Sequence, residues 1–75
     1  MPDIATERAH LAMADRDIAE GEERVLRQEQ LVARLRAESR STTEAEALLR
    51  LLRDTLQVWK AHRDQILRAL DQLQR

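Results

Sequence analysis

The sequence predicts an all-α protein, an antiparallel two-helix hairpin of coiled-coil character that pairs with a second copy into a four-helix bundle. Three observations carry this. Charged residues make up 36% of the 75 residues and aromatics 1%, with one Gly and one Pro, a composition suited to long amphipathic helices and poor in strand formers. Apolar residues recur at steps of three and four on both sides of one short polar run. A second apolar row accompanies the first in the C-terminal half, more than one partner helix can cover.

The first helix is expected over about residues 3–39. Pro2 and Asp3 mark its start, because Pro is tolerated in a first turn and Asp complements the positive end of the helix dipole. Ile4, Leu11, Ile18, Val25 and Val32 fall seven apart, with Ala14, Gly21, Gln28 and Leu35 between them, so the seam is lean and lets a partner backbone approach. No glycine marks its end. The polar run from Glu38 to Thr43 contains the connection, about 40–43, and Ser41 with Glu44 or Thr43 with Glu46 has capping-box spacing.

The second helix, about 44–74, carries a fuller seam of Ala45, Leu49, Leu52, Leu56, Trp59, Arg63, Ile66, Leu70 and Leu73. A connection this short makes the helices antiparallel neighbours. Pairing residues whose numbers sum to 84 aligns both seams without a slip. Val25 then meets Trp59 near the middle, and the Arg63 stem crosses the bare backbone of Gly21, with Asp17, Glu20 and Glu22 as acidic neighbours. Ile4 is left overhanging.

Beside this seam lies the row Leu48, Leu51, Thr55, Val58, His62, Gln65 and Ala69. A weaker row on the first helix comprises Ala5, Ala12, Ala19, Leu26 and Ala33. Both would face water in a monomer. Leu48, Leu51, Thr55, Val58 and His62 are therefore the expected self-association interface, and a homodimer is the simplest closed assembly.

Chemistry finds little support. Glu7 and His10 have the Glu-x-x-His spacing of carboxylate-bridged metal bundles, but Asp71 alone on the second helix offers a further carboxylate near that level, and no metal or cofactor is expected. The hydroxyls of Ser39, Ser41, Thr42 and Thr43 lack a matched base, so catalysis is not expected. Cysteine is absent. No apolar run spans a membrane and no signal peptide is indicated, which predicts a cytoplasmic protein without membrane contact.

Charge is uneven along the chain. Residues 1–23 hold seven acids against two arginines, and residues 24–43 hold five arginines against two acids. The alternative function is thus an RNA-binding hairpin dimer whose loop end contacts phosphates through Arg34, Arg36, Arg40, Arg50 and Arg53. The net charge of −1 and the interspersed Glu29, Glu38, Glu44 and Glu46 weigh against it. The expected function is a non-enzymatic protein-protein interaction module, a small adaptor or regulator that binds itself and a further protein.

The runs Gly21 to Glu29, Thr43 to Leu49 and His62 to Leu67 resemble small helical-hairpin proteins encoded in alphaproteobacterial genomes. That resemblance implies a bacterial cytosolic protein and brings no activity or site residue with it. The topology is also similar to plasmid-encoded RNA-binding hairpin dimers, with no shared motif.

Overall fold

The computed structural model describes residues 3–75, which form two helices packed side by side, α1 (Ile4–Ala37) and α2 (Thr43–Leu73). The pair is 56 Å long and only 16 × 14 Å in cross-section. No strand occurs among the described residues.

Asp3 is the N-cap of α1 rather than a first-turn residue. Its backbone is extended and its carboxylate accepts the Thr6 N–H at 2.7 Å. The backbone hydrogen bond from Thr6 holds the Asp3 carboxyl below the ordinary aspartate range. Pro2 lies outside the described residues.

The end of α1 comes two residues earlier than the sequence suggested, through a turn that usually takes glycine. Ser39 adopts φ 56°, the Arg40 N–H reaches back to the Leu35 carbonyl at 2.8 Å, and the Ser39 N–H reaches Arg36 at 3.1 Å. This is the Schellman arrangement, with a serine in the left-handed position. The chain then enters α2 with Thr42 as N-cap residue, and neither expected capping box forms. The Thr42 side chain makes no cap hydrogen bond, and three residues on stands Ala45, which has no carboxylate to return. Ser41 Oγ lies at the long distance of 3.5 Å from the Thr43 N–H that donates to it, and Glu46 turns instead to Arg36.

This reversal changes the register. It is centred near Arg40, and two alignments keep both seams in phase, with facing numbers summing to 77 or to 84. The first lies nearer the centre of the turn, and Gly21 accordingly faces Leu56, not Arg63: a Cβ built on Gly21 would come within 3.2 Å of Leu56 Cδ1. Gln28, which falls opposite Leu49 in this alignment, donates from Nε2 to the Ala45 carbonyl at 2.9 Å, so the polar member of the α1 seam is satisfied by the first turn of α2. Arg63 pairs with Asp15 at 2.5 Å rather than with Asp17, Glu20 or Glu22. Ile4 does not overhang; it packs with Leu11 against the buried cluster of Ala14, Ile66 and Leu70. Val32, Leu49 and Leu56 complete the buried apolar positions.

Trp59 also departs from expectation. The space at Gly21 is taken by Leu56, and Trp59 lies at the edge of the seam beside Met13, Ala14 and Asp17, 37% exposed.

Two outcomes test this account. Ser39→Gly should stabilise the hairpin by about 1 kcal/mol, because only the L side chain penalises the left-handed turn; chemical denaturation measures it. Gly21→Leu should cost ~1–3 kcal/mol by overpacking and Leu56→Ala ~2–5 kcal/mol by emptying a buried site. Combined, they should cost clearly less than their sum, whereas strict additivity would mean that the two positions do not face each other.

Candidate interaction surface

The two flanks of the hairpin differ sharply in chemistry. On one, carboxylates and arginines bridge the helices: Asp15 with Arg63, Glu29 with Arg53 at 3.0 Å and Arg36 with Glu46 at 2.6 Å. Ala19 and Ala33 of the weaker α1 row lie along this flank, beside the Asp15–Arg63 and Glu29–Arg53 pairs respectively. The pairs form because residues flanking two antiparallel seams meet across them, and opposite charges occupy those places here.

On the other flank, α2 presents Leu48, Leu51, Thr55, Val58 and His62, all exposed. Leu51 is 61% exposed and Val58 68%, values that leave most of each side chain in water. The row exists because α2 repeats a three-four apolar pattern one position beside its buried seam, which widens its apolar face beyond what α1 covers. Trp59 stands between row and seam. Its ring meets His62 edge-on, with centroids 6.4 Å apart and planes at 70°, and together with Thr55 and Val58 it lines a shallow depression.

The flank extends further than the sequence indicated. Met13 of α1, itself largely exposed, borders a second depression shared with His10, Asp17, Trp59 and His62. Towards the loop, Leu31 and Leu48 lie together in a third depression rimmed by Arg34, Arg40 and Glu44. Neither Met13 nor Leu31 belongs to an α1 row, so periodicity within one helix could not assign them; α2 places them beside its own row.

The remaining candidates are placed as follows. Glu7 is the one buried charged residue among those described, and its carboxylate lies 3.7 Å from His10 Nδ1. Among the described residues no three His, Asp or Glu side chains converge as a metal site would require. Of the five arginines considered for phosphate contact, Arg36 and Arg53 carry the interhelical carboxylates named above and Arg40 lies 3.7 Å from Glu38, while Arg34 and Arg50 make no ion pair among the described residues. No helix among the described residues is long and apolar enough to cross a membrane.

No protein-family model, curated protein or solved structure matches the chain.

The bridged flank should contribute little to stability. Glu29 and Arg53 are each about half exposed, and a double-mutant cycle over Glu29→Ala and Arg53→Ala should give a coupling of roughly 0.2–1 kcal/mol that shrinks in high salt. Thermal or urea unfolding of the four proteins measures it.

Proposed function

We propose that the chain is a non-enzymatic protein-interaction module, a helical hairpin that associates with itself through the α2 flank into a four-helix bundle and serves as a small adaptor or regulator. The observation that carries this reading is surface area. A compact monomer of 8.7 kDa exposes about 4,700 Å², whereas this hairpin exposes 5828 Å², a surplus of roughly 1,100 Å². A specific interface removes about 800 Å² from each partner, so one such contact accounts for most of the surplus.

Packing supports the same conclusion. No side chain among those described is less than 2% exposed, and the buried apolar set numbers six residues. The apolar flank of α2 offers the contact that would enlarge that set, and the ion-paired flank is already satisfied.

Sedimentation equilibrium of the parent protein at micromolar concentration should give twice the chain mass of 8.7 kDa. Leu51→Glu sets a charge in the proposed dry contact and should yield monomers of lower stability. Melting temperature should rise with concentration in the parent and hardly at all in the variant, as mass action requires. A stable, well-folded monomer of the parent would overturn self-association.

A further inference from the structure

Resting on that reading, we infer that the second copy docks with its α2 antiparallel to the first, about a two-fold axis near Thr55, so that the open end of each hairpin covers the loop end of the other. The axis follows from the row itself. Leu48 and His62 lie seven residues either side of Thr55, and Leu51 and Val58 lie four before and three after it, so the row reverses onto itself to within one residue, and an isologous contact must be self-complementary. Reversal sets Leu48 level with His62 of the second copy and Thr55 level with its own copy at the axis, and it brings Leu51 level with Trp59, one residue from Val58. Trp59 and Met13 border the row on its α1 side, where the second copy would cover them.

Charge selects this direction over the parallel one. The open end, residues 1–23 and 57–75, holds nine acids against six bases, and the loop end, residues 24–56, holds seven arginines against five acids. The hairpin is thus polarised along its 56 Å length, negative at the open end and positive at the loop. Antiparallel docking sets unlike ends together; parallel docking would stack two basic loop ends. The α2 dipoles add to the preference, since antiparallel neighbours oppose their partial charges and parallel ones align them. Parallel docking would also bring His62 against His62.

A second copy is the occupant that these features fit. The row matches itself under reversal to within one residue, and the charge polarity of the hairpin is matched by the same hairpin turned end for end.

The chain has no cysteine, so single substitutions report proximity directly. Leu48→Cys mixed with His62→Cys should give a disulfide-linked heterodimer under mild oxidation, and Leu48→Cys alone should give no crosslink, because bridged Cα atoms must lie within about 7 Å. Spin labels on Ser41→Cys, outside both helices, should stand about 40 Å apart, from the rise of 1.5 Å per residue on either side of the axis. A Leu48→Cys homodisulfide with labels near each other would overturn the antiparallel orientation while leaving self-association standing. A dimer by sedimentation with neither crosslink would place the contact elsewhere and overturn the α2 interface. A monomer by sedimentation would overturn the parent reading and this inference together.

Discussion

The hairpin depends on how the chain turns between residues 38 and 42. Both seams repeat in threes and fours, so sliding one helix along the other by seven residues keeps every apolar position in phase. Packing alone barely distinguishes the alternatives. The left-handed Ser39 and the hydrogen bonds from Ser39 and Arg40 back to Arg36 and Leu35 end α1 early enough to choose between them. The rest follows from that choice: Leu56 over Gly21, Gln28 on the first turn of α2, Arg63 on Asp15, and Ile4 drawn onto the core.

Both helices, their antiparallel pairing and the second apolar row of α2 were legible in the sequence, because each is a periodic property of one segment. Register was not, because it depends on one residue in the turn, and Ser39 carries no local sign of a left-handed backbone. The position of Trp59 failed for the same reason. Opposite Val25 it would have covered the gap at Gly21 one turn away, but Leu56 fills that gap and Trp59 lies beside Met13 and Ala14 with its ring edge-on to His62. The capping boxes failed on a shift of one residue: with Thr42 as N-cap, the place where a glutamate should answer is taken by Ala45.

The interaction surface was legible in part. Leu48, Leu51, Thr55, Val58 and His62 could be named from α2 alone, and they are exposed together. Met13 and Leu31 could not, since they join the surface only through the packing of α1 on α2. The arginines of the loop end read differently once folded. Their crowding in the sequence suggests a phosphate site, but Arg36 and Arg53 reach across to Glu46 and Glu29, which spends part of that charge within the hairpin.

The division of labour between the flanks argues for how such a small chain is organised. One flank joins its helices by exposed ion pairs, which add specificity of register and little energy. The other leaves a leucine and valine row with no partner inside the chain, although apolar burial is the stronger source of stability. In the proposed bundle α2 would occupy the centre, with α1 on one side and the second copy on the other, and α1 would form the outer layer. That arrangement accounts for the unequal seams: α1 covers one face only and keeps alanine, glycine and glutamine along it, whereas α2 has two faces to cover and carries leucine with isoleucine on one and leucine with valine on the other.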